Sequence, residues 1–389
     1  MRSLHQQFTV PYSYPVHFTS DVFAMDNAVL VETLGDKRSR QHDMLCVVDE
    51  GLLQADPGLG DRIRAYADHH RAAIRLVRPP LVLAGGEAGK NADRLYEVVQ
   101  TAIHEFGICR QSFVLAVGGG AFLDLVGFAA ATAHRGVRLI RMPTTVLAQD
   151  DSGIGVKNSV NAFGKKNFVG TFAPPFAVIN DFFFLRSLSQ RDWMGGTAEA
   201  VKVALLKDGA FFDFLERHAP DLVARNEDAM RHLVHRSAEL HLLHIGTGGD
   251  PFEATSSRPL DFGHWSAHKL EQLTGFRLRH GEAVAIGIAL DSTYSCCMGW
   301  LGEPEWRRIL SLLTELGFPL ALPPEASRSD SLLGGLGEFR EHLGGELTLT
   351  MLRGIGQPFE VHAIDTPTMR NALEMMEEAA SAVPEEFTV

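Results

Sequence analysis

Along the first half of the chain, short unbroken apolar runs alternate with stretches whose apolar positions recur every three or four residues. "MLCVVDE" (44–50) is a strand ending in an acid, and "LGDRIRAYADHHRAAI" follows it as a helix. "LVLAGGE" precedes the helical "NADRLYEVVQTAIHEFG", and "SFVLAVGGG" (112–120) leads into "AFLDLVGFAAATAHRG". Strand and helix periods taking turns in this way predict a parallel sheet with covering helices. From "SLSQRDWMGGTAEAVKVALLKD" onward the helical period dominates, with Ser189 placed to cap the first helix. The pattern predicts an α/β domain over 1–185 and a helical domain over 186–389. "PLALPPEASRSD" (319–330) is predicted to be a surface loop, and "GELTLTML" (345–352) a lone strand or extended segment. There is no internal repeat or low-complexity tract.

Composition narrows the partners more than the fold. With 389 residues, 45% of them hydrophobic, the chain has material for two cores. A net charge of -12 disfavours nucleic acid, although a local basic cluster can still receive an anionic substrate. The four cysteines (Cys46, Cys109, Cys296 and Cys297) have no zinc-type spacing, and the adjacent pair is poorly placed for a disulfide. A reduced, cytoplasmic setting is the simplest expectation. The first 23 residues lack a signal-peptide apolar core, and no apolar run reaches the roughly 20 residues that span a bilayer. A soluble protein is expected.

"AVGGGAFLDLVGFAAA" places Gly118, Gly119 and Gly120 between a buried strand and a helix. Glycine lets the backbone approach a phosphate, and the helix start supplies free N–H groups. Asp49, ending an earlier strand, suits ribose hydroxyls. "GGEAGKN" (85–91) adds a second glycine-rich turn with Lys90. A tight turn and a solvated acid would account for each alone; together they favour a dinucleotide.

"PTTVLAQDDSGIGVKNSVNAFGKKNFVG" (143–170) is polar for a segment leaving a strand and carries Thr144, Thr145, Asp151, Lys157, Lys166 and Asn167. It reads as a long loop, and long loops in compact domains are more often functional than idle. Lysines and an asparagine amid small residues suit a phosphate. In "GTAEAVKVALL", Glu199 and Lys202 share a helix face, which alone would be an ordinary surface ion pair. In "SSRPLDFGHWSAHKLE" (256–271), His264 and His268 stack on one helix face with Asp261 three residues earlier, and "RHGEAVAIGIAL" starts a helix at His280. One carboxylate and two imidazoles make a catalytic zinc shell, so Glu199, His264 and His280 form a candidate set among 17 histidines.

In order along the chain, "GGGAFLDLVGFAAATAHRG", "MPTTVLAQDDSGIGVKNSVN", "GKKNFVG", "GTAEAVKVALL", "DFGH…H" and "HGEAVAIG" resemble the motif series of the 3-dehydroquinate synthase superfamily, the sugar phosphate cyclases. The resemblance runs from about residue 85 to 290 and is weaker at both ends. It implies a Rossmann-like NAD-binding domain and an all-helical metal- and substrate-binding domain, working as a homodimer with the site in the cleft. It places zinc or cobalt on Glu199, His264 and His280. It places NAD on Asp49, Glu87, Lys90, Gly118, Gly119, Gly120, Asp124, Thr144, Thr145 and Lys166. Catalysis and phosphate handling fall on Asp151, Lys157, Asn167, Lys202 and His268, with Arg135 reaching the neighbouring subunit's phosphate site. The implied chemistry is transient oxidation by NAD, loss of phosphate, return of the hydride and an intramolecular aldol closure.

The chain departs from dehydroquinate synthases at the substrate. The family's asparagine is Asp261, and its arginine is Ser257 with Arg258 displaced by one place. A lysine is replaced by His241 or His244, and a late lysine has only Arg340 near it. The lost cations are those that would meet a substrate carboxylate and phosphate. An added Asp261 repels an acidic substrate unless it pairs with a cation or hydroxyl, and it accepts hydroxyl hydrogen bonds strongly. These departures favour the branch acting on sedoheptulose 7-phosphate, making cyclitols of the 2-epi-valiolone type. The alternatives are a remodelled 3-dehydroquinate synthase, a metal-dependent polyol dehydrogenase on the same fold, and a non-catalytic binding relative.

Overall fold

The architecture is that of a computed structural model, which describes residues 3–35, 41–91, 94–163, 165–248, 251–253, 257–326 and 329–381. The chain divides into two compact units: Met1–Pro143 with Val156–Asp181, and Thr144–Gly155 with Phe182–Val389.

The first unit is built on a parallel sheet of β1 (Val16–Thr19), β2 (His42–Asp49), β3 (Ile74–Leu76), β4 (Leu81–Leu83), β5 (Phe113–Gly118), β6 (Arg138–Pro143) and, following the hairpin below, β9 (Ala177–Asp181). The strands run in the order β1-β9-β6-β5-β2-β3, with β4 also paired to β2. Every residue of β5 is buried, as an unbroken apolar run requires when helices cover both faces of a sheet. The helix Gly120–Thr132 leaves β5 through the three glycines, buries its Phe122, Leu123, Leu125 and Val126, and is apolar around most of its circumference. This is the Rossmann-like unit expected from the alternating periods.

The stretch 143–170, expected as one long loop, is more ordered than that. Residues Ala148–Ser152 form a π turn within the second unit, and Lys157–Ala162 (β7) pairs antiparallel with Lys165–Phe172 (β8) in the first. The strand β8 is exposed along most of its length, so no alternation of burial marks it in the sequence.

The second unit is helical, as expected. Ser189 does cap a helix: its side chain accepts the Asp192 amide at the start of Gln190–Gly195. The helices that bear the candidate site residues are Thr197–Lys207, Glu227–Thr247, His264–Leu273 and His280–Cys297. The His280–Cys297 helix is buried almost throughout, so it serves as the core against which its neighbours pack. The segment expected as a lone strand is not alone, since Leu349–Leu352 (β10) pairs antiparallel with Pro358–Val361 (β11). The stretch 319–330 runs irregularly to Ala326, burying Leu320 and Ala326, and its end opens the helix Ser329–His342; residues 327 and 328 lie outside the described residues. Among the described residues, no helix is long and apolar enough to cross a membrane.

Candidate active site

Three helices of the second unit converge on one carboxylate. Glu199, in the first turn of Thr197–Lys207, is 1% exposed. Its Oε1 lies 3.5 Å from His264 Nε2 and 3.3 Å from His280 Nε2, and ligand atoms of all three residues fall within 4.8 Å of one another. Neither Glu199 oxygen has a hydrogen-bond partner of good geometry, although Lys202 Nζ is in ion-pair contact with Oε2. A tetrahedral ion with bonds near 2.1 Å holds its ligand atoms about 3.4 Å apart, close to the two distances from Glu199 Oε1 to the imidazoles. The far side of each imidazole is also engaged. His264 Nδ1 lies 3.1 Å from the Phe262 carbonyl, and His280 Nδ1 lies 3.2 Å from the buried Glu271 carboxylate. Such outer partners fix the tautomer that leaves Nε2 free to bind a metal. Three carboxylates (Glu199, Asp151 and Asp261) act on the Lys202 ammonium, leaving two negative charges when the imidazoles are neutral. A divalent cation neutralises that excess, so these residues fit a zinc- or cobalt-sized ion.

The charges around Lys202 order one another. Burial opposes its ammonium, but Glu199 and Asp151 more than offset this and hold its proton firmly. Burial alone would raise Glu199; Lys202 and the two imidazoles hold it well below the usual carboxylate range. Asp151 is likewise kept low against its burial, chiefly by Lys202, with His241 assisting. His241 Nδ1 sits 2.8 Å from Asp151 Oδ1, so the ring is oriented by a carboxylate. His244, three residues on, is driven down to about 4 by burial and by Lys207.

The π turn brings in a residue the sequence did not single out. Asp150 is fully buried, neither of its oxygens has a hydrogen-bond partner among the described residues, and burial beside Asp151 and Glu199 pushes it well above the carboxylate range. Such π turns are rare and occur often at functional sites. The turn lies against the Glu199 helix because Gly196 lets it: a Cβ there would stand 2.3 Å from the Leu147 amide nitrogen.

Asp261 lies three residues before His264, which opens the helix His264–Leu273, and its carbonyl accepts the His264 amide at 2.9 Å. It lines a cavity of about 130 Å³ together with His244, Glu253, Ser257 and Arg258. Arg258 Nε is 3.1 Å from Glu253 Oε2, so this guanidinium is already paired with an acid. His268 lies one turn beyond His264, with ring centroids 5.6 Å apart and 6.2 Å to His280.

The first unit assembles the expected nucleotide residues around Lys90, which is 4% exposed. Its Nζ reaches Asp124 Oδ2 at 2.6 Å and also donates to Asn167 Oδ1. Ser159 Oγ lies 3.2 Å from the same Asp124 oxygen and 3.0 Å from Asn167 Oδ1. Glu87 accepts from Asn161 at 3.0 Å and pairs with Lys166 at 3.4 Å. Asp49 caps its helix by accepting the Gly51 amide at 2.9 Å, and burial raises it against that bond and one from Gly119. Asn167, expected at the phosphate, thus spends its carboxamide oxygen inside the Lys90 cluster. Lys157 opens β7, where the fully buried Arg141 holds its carbonyl at 2.7 Å and Asn158 Oδ1 at 2.6 Å. Arg135 is exposed in the 3-10 turn Ala133–Arg135 at φ 60°. Thr144 and Thr145 belong to the second unit, where Thr145 Oγ1 accepts the Ala148 amide at 3.1 Å. Arg340, which the sequence put near the family's late lysine, is exposed on the helix Ser329–His342.

Comparison with known proteins agrees with this geometry. Residues 80–195 match the family model of the 3-dehydroquinate synthase N-terminal domain, and residues 196–334 that of its C-terminal domain. The 3-dehydroquinate synthase of Xanthomonas campestris pv. campestris is 36% identical over 311 residues, 77% of this chain and 83% of its own. That of Geotalea uraniireducens is 37% identical over 287 residues, 70% of this chain and 79% of its own. Among solved structures, ValA, a 2-epi-5-epi-valiolone synthase from Streptomyces hygroscopicus subsp. jinggangensis 5008 with NAD+ and Zn2+ bound, is similar at TM-score 0.87 and 30% identity. The match covers 97% of this chain and 100% of that one. A 2-deoxy-scyllo-inosose synthase complexed with carbaglucose-6-phosphate, NAD+ and Co2+ shares the fold, at TM-score 0.74 and 24% identity over 93% of this chain and 96% of that one. The chain belongs to the 3-dehydroquinate synthase superfamily of sugar phosphate cyclases.

Proposed function

We propose that this cyclase acts on a neutral seven-carbon ketose phosphate, sedoheptulose 7-phosphate, and releases a cyclitol such as 2-epi-valiolone. The observation that carries the reading is Asp261, which acts on the Lys202 ammonium and lines a cavity in which Arg258 is engaged by Glu253. A substrate carboxylate would meet like charge there, whereas hydroxyls would meet a strong acceptor. The resemblance to ValA supports the same reading. A 3-dehydroquinate synthase is the second reading, favoured by the name of the 36–37% identical relatives.

Glu199, His264 and His280 would hold a zinc or cobalt ion, and Asp49, Glu87, Lys90, Gly118, Gly119, Gly120, Asp124, Thr144, Thr145 and Lys166 would hold NAD. When bound, the ion polarises a carbinol oxygen and NAD accepts a hydride that it returns within the same turnover. The chain's own residues hold charge and move protons. Lys202, locked as an ammonium, orients the carbinol oxygen. His241, held by Asp151, takes the carbinol proton through Nε2 and returns it on re-reduction. On the family resemblance, Lys157 and Arg135 of a homodimer partner would balance the phosphate's charge, Asn167 would donate its amide to it, and His268 would be the imidazole nearer to it. The departing phosphate removes the acidified C–H proton, after which ring opening and aldol closure need mainly a pocket that holds one conformer.

Two results test this chemistry. His241→Gln is expected to lower kcat by roughly 10²-fold with KM little changed, as loss of a general base does. Unchanged kcat would remove His241 from the proton path. Phosphate should also accumulate without net NADH, followed by absorbance. Net NADH formation matched to substrate consumed would instead mark a polyol dehydrogenase, and failure to turn over any sugar phosphate a binding relative.

A further inference from the structure

We infer that Asp291 is a positioning residue of the metal centre, clamping the loop that presents His264 onto the helix that presents His280. The inference rests on Glu199, His264 and His280 holding a metal. Asp291 lies eleven residues after His280 on the helix His280–Cys297, three turns along and therefore on the same face. It is 1% exposed, and nothing in the chemistry proposed above uses it. Its Oδ2 accepts the Gly263 amide at 2.9 Å and its Oδ1 accepts the Trp265 indole N–H at 2.8 Å. Those two donors flank His264 on both sides. The loop has little room to adjust, because Gly263 holds φ +76° and a Cβ there would stand 2.7 Å from the Ile288 amide nitrogen. The Phe262 carbonyl that faces His264 Nδ1 belongs to the same loop. Releasing either arm of the clamp therefore lets the His264 imidazole move relative to His280, while the helices stay packed by their apolar residues.

A buried carboxylate with two N–H donors is a costly way to join two helices if packing were its only service, since an apolar pair would fill the space. Ligand orientation is a service only the hydrogen bonds supply. The distinguishing readout is metal affinity set against the stability of the metal-free protein.

Wild type, Asp291→Asn and Trp265→Phe would be stripped of metal and titrated with zinc by chelator competition, with thermal unfolding of the stripped proteins alongside. Cobalt-loaded samples would report ligand geometry through their visible spectra. Asparagine can accept only one of the two donors and turns its own amide toward the other; phenylalanine removes one arm alone. The expected result is zinc affinity weakened roughly 10–100-fold in Asp291→Asn and by less in Trp265→Phe, with a shifted cobalt spectrum in both. Zinc affinity within about twofold of wild type and an unshifted spectrum would overturn the inference. Should Asp291→Asn fail to fold, Trp265→Phe decides by the same criteria. A wild type that binds no metal would overturn the metal reading and this inference with it.

Discussion

Glu199→Gln is expected to lower phosphate release by at least ~10³-fold, because the side chain keeps its volume but loses the charge on which the site turns. Glutamine offers a weaker oxygen to a divalent ion, and His264 and His280 alone make an incomplete shell. The substitution also strips Lys202 of its ion-pair partner within the helix, leaving Asp151 and Asp261 to hold the ammonium. Removing one member of a buried pair costs about 3–5 kcal/mol when nothing replaces it, so thermal unfolding is needed alongside the rate. Metal content after dialysis separates the two effects: a folded variant that has lost its metal and its activity supports the triad. A folded variant that keeps both removes Glu199 from the metal centre and with it the chemistry proposed for Lys202.

Asp261→Asn is expected to change which substrate the enzyme prefers more than whether it works. For the neutral ketose phosphate, a charge-assisted hydrogen bond to a hydroxyl becomes a neutral one, a loss of about 1–2 kcal/mol and roughly a tenfold fall in kcat/KM. For a carboxylated seven-carbon phosphate, the repulsion from a like charge is removed, worth on the order of 2–3 kcal/mol at a near-surface dielectric. The two shifts add, so the ratio of kcat/KM values should move by roughly 10²-fold or more toward the acid. Steady-state phosphate release with both substrates measures that ratio. A ratio unchanged by the substitution would mean that Asp261 serves the fold or Lys202 and does not read the substrate.

Residue spacing shows which side chains share a helix face, whereas the family resemblance is what selects Glu199, His264 and His280 among them. Glu199 and Lys202 lie three apart on one helix, His264 and His268 four apart on another, and His280 opens a third, all as their sequence periods predict. What the sequence hides are groups whose meaning depends on burial. Asp150 sits in a run of polar residues and looks solvated; the π turn drives it inside. Glu271 and Asp291 are isolated acids on helices whose periods assign them no partner, yet each supports a histidine ligand or its loop. The β7–β8 hairpin was invisible because one of its strands is exposed on both faces, and β11 because its four residues, three half-exposed and one exposed, carry no period. Asn167 has a further contact that its residue type does not announce: its carboxamide oxygen accepts from Lys90.

The most direct test of the central claim is phosphate release by the purified protein with NAD and zinc, given sedoheptulose 7-phosphate and, separately, the carboxylated phosphate used by 3-dehydroquinate synthases. Each product would be identified by NMR. Turnover of sedoheptulose 7-phosphate to a cyclitol, with the acid inert, is the predicted result. Turnover of the carboxylated substrate alone, yielding dehydroquinate, would contradict the account and make Asp261 a feature of a divergent 3-dehydroquinate synthase.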